Sequence, residues 1–183
     1  MIYMVDHVYA DPASEQAWHE WYAGYLKKLI SVPGINTAQR FKALGCTPSR
    51  YLAMYSIDSA DVYTSDAYRS MGGGGSQSAR FHHAYRLWTR NLFDGASRAP
   101  AVRDGQRVLV WDRAERPSND ALELRAATWL EAVGLHMTTK YRAFVVLDAA
   151  DTATPPSIPG SYLYEPFAPV ILKAVIPPQR ILF

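Results

Sequence analysis

Between Asp11 and Gly34 the apolar residues recur at Trp18, Trp21, Tyr22, Tyr25, Leu26, Leu29 and Ile30. Side chains three and four apart stack on one face of a 3.6-residue helix, so the spacing predicts a helix over 11–33 with one broad aromatic stripe. Asp11 can cap the free amides, Pro12 suits the first helical position, and Pro33-Gly34 ends the helix. On both sides the pattern changes to alternation, which predicts strands over Ile2–Tyr9, Asn36–Leu44 and Tyr51–Ile57. A shorter helix is expected over Asp58–Met71, with Val62, Tyr63 and Tyr68 as core contacts. The run Gly72-Gly73-Gly74-Gly75-Ser76 breaks it and reads as a mobile loop or lid. Residues 77–95 begin helical or irregular and run into a closing strand that ends at Asp94-Gly95.

The same order recurs in the second half. A strand over Gln106–Asp112 precedes a helix capped by Ser118, with the stripe Leu122, Ala126, Trp129, Leu130 and Val133, ending at Gly134. Strands follow over Thr138–Leu147, around Tyr162-Leu163 and over Val170–Ile176. Setting Gly34 on Gly134 pairs Arg40 with Lys140, Phe41 with Tyr141 and Lys42 with Arg142, which argues for duplication. Residues 1–95 and 106–183 are then two units joined by a linker at 96–105. The Pro-rich stretch Ala150–Gly160 is a long loop, and Pro177–Phe183 is a tail suited to reach a partner.

Composition narrows the function classes. The 183 residues suffice for one domain or two small packed ones, and 13% of them are aromatic, including 12 Tyr and 5 Trp. That aromatic load points to a ligand cavity or a subunit interface. A net charge of +2, with Lys and Arg scattered, gives no nucleic-acid footprint. No apolar run is long enough for a membrane span, and the N-terminus lacks the pattern of a secretory signal. With a single cysteine, Cys46, and no signal, a cytoplasmic protein is expected.

The stretches Trp21-Tyr22, Leu29 to Gly34, Gln39-Arg40-Phe41, Tyr51 to Tyr55 and Arg90 to Gly95 occur in an order that resembles the ferredoxin-like, dimeric α/β-barrel superfamily, in particular EthD-type proteins. The resemblance implies an α+β fold: tandem ferredoxin-like βαββ(α)β units forming an α/β barrel, helices outside antiparallel sheets. It also implies a small-molecule cavity and a homodimer. EthD-like relatives carry a histidine late in the first helix; here Tyr25 stands near that place.

Candidate chemistry follows from the faces. If the helices cover Ile2, Met4, Val8, Leu52 and Met54, the opposite face holds Tyr3, His7, Tyr9, Tyr51 and Tyr55, joined by Arg40. Histidine can move a proton near neutral pH and arginine can hold an anion, so His7 and Arg40 are the catalytic candidates. The plainer reading makes His7 a hydrogen-bonded core residue and Arg40 a partner of Asp6 or a neighbouring acid. Tyr3, Tyr51, Tyr55, His82, His83 and Trp88 are candidate substrate contacts, with residues 72–83 as the cavity's edge. Neither HxH, HxxxH nor CxxC occurs, so no metal is expected. The expected function is a cofactor-independent acid/base enzyme (isomerase, cyclase or lyase) acting on a small aromatic, lactone or polyketide-like compound. The alternative is a non-catalytic small-molecule-binding or accessory protein on the same scaffold.

Overall fold

The computed structural model describes residues 1–116, 126–148, 150 and 158–173. The alternating stretches of the first half form β1 (Ile2–Tyr9), β2 (Ile35–Ala43) and β3 (Tyr51–Ile57), and the aromatic stripe forms α1 (Glu15–Leu29). The helix starts later than its spacing implied. Ser14 takes the N-cap position, and Asp11 holds the preceding turn by accepting bonds from the Ala13 amide and the Ser14 hydroxyl. The next helical stretch is split into a 3-10 segment, Ala60–Thr64, and α2 (Asp66–Ser70). Ser59 and Ser65 cap the two pieces through their hydroxyl oxygens. A 3-10 segment over Gly73–Ala84 leads into β4 (Tyr85–Asp94), and β5 (Arg107–Arg113), β6 (Thr128–Leu135), β7 (Tyr141–Leu147), β8 (Ser161–Pro166) and β9 (Ile171–Leu172) follow among the described residues.

The strands run in the order β3-β1-β4-β6-β7-β5-β8-β2, and β2 pairs back to β3, so eight antiparallel strands close into a barrel. β9 continues β8's path along β2, opposite Thr37 and Ala38. Closure leaves no open edge in the ring and is completed within one chain. No second copy is needed for it.

β6 corrects the expectation of a helix over 118–133: Thr128–Leu135 is a strand. The expected cap at Ser118 and the stripe's start at Leu122 lie outside the described residues, as do most of the 150–160 loop, residues 174–176 and the 177–183 tail. Trp129, Leu130 and Val133 fit helical spacing, yet Leu130 and Ala132 are buried while Glu131 and Val133 are exposed. Beyond Leu130 and Ala132 the pairing register with β4 shifts by one residue between Ala132 and Gly134, leaving Val133 and Leu135 both exposed. That blurs the period of two. The pairing of Gly34 with Gly134 fails with it. The order β2-β3-β1-β4 in the first half matches β6-β7-β5-β8 in the second, so β7 stands where β3 stands, not β2.

Inside the barrel Ile2, Met4, Phe41, Met54, Phe93 and Phe144 pack with their neighbours. Val102, from the 96–105 segment, plugs one end; its amide donates to Gln39 Oε1 at 3.0 Å and its carbonyl accepts from Gln39 Nε2 at 2.7 Å. At the other end the Arg142 guanidinium bonds Asp6 at 3.0 Å and Asp112 at 2.7 Å, beside an opening of about 260 Å³. α1 lies outside, on the face carrying Tyr3, Val5 and Tyr9. The faces are therefore reversed from the expectation: Ile2, Met4, Leu52 and Met54 point into the lumen, and the aromatic face is the one the helix covers. Alternation separates two faces, but both here are apolar, and only the closure decides which is inner.

Candidate functional site

The pairing register sets side chains of β2, β3, β1 and β4 in rows across the outer face. One row reads Ala38, Tyr55, Tyr3, Leu92; the next Arg40, Ala53, Val5, Arg90; the third Lys42, Tyr51, His7, Trp88. The middle row places small Ala53 and Val5 between two arginines, with bulky aromatics in the rows on either side. That leaves a hollow under α1. Trp21, Tyr22, Tyr25 and Leu29 of the helix roof it, Tyr63 and Tyr68 come from the 60–70 segment, and Gln77, Ser78 and Tyr85 close one edge. The enclosed volume is about 40 Å³, room for roughly three water molecules.

The phenols in the walls are electrically neutral. Tyr22 and Tyr55 share a 2.9 Å hydrogen bond between their hydroxyls, and Trp18 Nε1 donates to Tyr85 Oη at 3.0 Å. Burial pushes the Tyr22 hydroxyl up to about 12 and holds Tyr3, Tyr55 and Tyr63 well above their ordinary value. His7 is 2% exposed, with its ring edge-on to Tyr22 at 5.4 Å. Its pKa is lowered to about 3, by burial first and by Arg40 second. The imidazole is therefore neutral at pH 7.

Arg40 shares His7's face but does not line the cavity. It is 3% exposed and lies over Tyr22 at 4.1 Å, Trp18 at 4.7 Å and Phe167 at 5.1 Å, with Nη2 against His19 Nδ1 at 3.0 Å. Its charge rests on aromatic faces rather than a carboxylate; Asp6 points to the opposite face of the sheet, where it pairs with Arg142. Arg90 does line the cavity. Its guanidinium sits over Trp88 at 4.8 Å, with Nη2 facing His136 Nε2 at 3.3 Å. Arg90 Nε and the Tyr63 hydroxyl are buried, with no hydrogen-bond partner among the described residues.

Of the residues expected from sequence, His7, Tyr3, Tyr55 and Trp88 meet at the cavity, and Arg40 stands behind the Tyr22 wall. Tyr51 is buried beside it and donates to Glu15 at 2.8 Å. His82 and His83 are exposed, the first against Ser78 at 2.8 Å and the second facing Asp11 at 3.5 Å. The 72–83 segment contributes Gln77 and Ser78 instead. Arg90 and Tyr63 are among the lining residues missed as site candidates, Tyr63 having been read as a core contact. Period-two counting from Trp88 places Arg90 on the same face, so its signal was present once the strand was assigned.

A closed antiparallel barrel with a helix packed outside is an α/β-barrel architecture. The chain is similar in fold to the crystal structure of "Putative Chlorite dismutase TA0507", with a TM-score of 0.51 and 8% identity, over 91% of this chain and 95% of that one. No protein-family model and no curated protein matches the sequence. The likeness is one of fold. No helix among the described residues is long and apolar enough to cross a membrane.

Proposed function

We propose that this chain binds a small planar aromatic molecule between α1 and the first half of the barrel, as a binding or accessory protein. The carrying observation is that Tyr63 Oη and Arg90 Nε are buried with no hydrogen-bond partner among the described residues, on two side chains that line a largely aromatic cavity. Buried donors are costly unless something accepts from them, and a ligand's oxygen can. The space is smaller than an aromatic ring, so binding requires the Gly73–Ala84 segment, which carries Gln77 and Ser78, to move outward. The repeated strand order supports a reading of residues 1–95 and 106–183 as two ferredoxin-like units, with the site on the outer face of the first.

The acid/base enzyme is the second reading, and the placement of His7 in the cavity wall is what favours it. A base near pKa 3 removes protons poorly at pH 7, so His7 acts only if a bound anion raises it. In that reading the anion-holding role passes from Arg40 to Arg90, the arginine that lines the space.

The test is titration with 2-hydroxybenzamide, followed by amide and indole NMR shifts. The expected result is saturable binding with shifts centred on His7, Tyr63 and Trp88. An absence of saturable binding, or shifts centred on the barrel opening near Arg142, overturns the proposal.

A further inference from the structure

Resting on that cavity reading, we infer that its ligand is an anion, a planar aromatic carboxylate whose acid group is received by Arg90 Nε and the Tyr63 hydroxyl. Two arginines stand at the ends of the row that floors the hollow, separated by Ala53 and Val5. Three strand spacings put their Cα atoms roughly 14 Å apart. Neither forms an ion pair with a carboxylate, and no Asp or Glu lines the cavity among the described residues. The phenols around them are neutral, and so is His7. The space therefore has one guanidinium in its wall and a second behind Tyr22, with no carboxylate lining it among the described residues.

Arg90, Tyr3 and Tyr63 line the same cavity, and the charges act on its wall. Burial raises the Tyr3 and Tyr63 hydroxyls, and Arg90 pulls both the other way; Arg40 acts likewise on Tyr22 and depresses His7. Guanidinium cannot shed its proton to escape the imbalance, so it needs an acceptor. A neutral ligand offers Nε an ordinary oxygen. A carboxylate offers a charged one, which adds the attraction of opposite charges to a bond the guanidinium makes in either case. The opening at the barrel mouth has the opposite balance, two carboxylates of Asp6 and Asp112 against the one guanidinium of Arg142. An anion is thus directed under α1 and not into the lumen.

Calorimetric titration of the whole chain at pH 7 with 2-hydroxybenzoate and 2-hydroxybenzamide tests this, since the two share ring and phenol and differ in charge. The benzoate is expected to bind at least about tenfold more tightly, one charge-assisted bond's worth. Arg90→Gln should bring the two within about threefold, and Arg90→Lys, which keeps the charge but not Nε, should fall between. Tyr63→Phe should weaken the benzoate several-fold and carries the test if Arg90→Gln does not fold. Equal binding of the two probes by the unmodified chain overturns the anion inference and leaves the aromatic-ligand reading standing. Binding of neither overturns that reading and the inference with it. A benzoate preference that survives both Arg90→Gln and Tyr63→Phe also overturns the inference.

Discussion

Acid should destabilise this protein through His7. The imidazole is enclosed by Trp18, Tyr22 and Tyr85, and its pKa falls from an ordinary 6.5 to about 3 in the folded chain. Above pH 6.5 both folded and unfolded chains hold it neutral, so the site contributes no pH dependence there. As pH falls below 6.5 the unfolded chain takes up a proton that the folded chain refuses, and stability drops until the folded pKa is reached. Each pH unit in that window is worth about 1.4 kcal/mol, so the loss from His7 is about 2 kcal/mol at pH 5 and about 3 kcal/mol at pH 4. His19, lowered to about 4 and only partly buried, adds a smaller loss of the same sign. Urea unfolding followed by indole fluorescence at pH 7 and pH 5 measures the total, and His7→Asn isolates the His7 part. The variant is expected to lose about 2 kcal/mol less than the unmodified chain between those two values. Parallel losses in the two proteins, or an NMR titration of the His7 ring with a midpoint near 6, would refute the reasoning.

Trp18→Ala should cost about 3–5 kcal/mol by urea denaturation, because a fully buried indole stacked on Tyr9 at 4.6 Å leaves a void between helix and sheet. Asp6→Asn should cost about 3–5 kcal/mol, since it strips the buried Arg142 guanidinium of one of its two carboxylates. Arg50→Ala, which removes an exposed pair with Glu15 at 3.6 Å, should change stability by less than about 1 kcal/mol in the same assay. Gly95→Ala should lower the melting temperature by several degrees: the residue has φ +108°, and a Cβ would sit 2.5 Å from the Trp129 carbonyl oxygen.

Local chemistry was enough to place β1, β3 and the aromatic helix, because each satisfies one period strongly over many residues and is bounded by turn residues. It was enough, too, to put His7, Tyr3, Tyr55 and Arg40 on one face, since a strand's alternation is a property of the backbone. Three matters were decided only by the tertiary structure. Which face the helix covers depended on how the sheet closes, for Ile2 and Met4 are as apolar as Tyr3 and Val5. Thr128–Leu135 became a strand because the ring needs a neighbour between β4 and β7, and that pairing overrode the helical spacing of Trp129, Leu130 and Val133. Arg90, rather than Arg40, reached the cavity because register set it across from Val5 beside the hollow, while the Tyr22 ring of α1 came down over Arg40. Charge and size are written in each residue, but which charge meets which space depends on strand pairing between segments far apart in the chain.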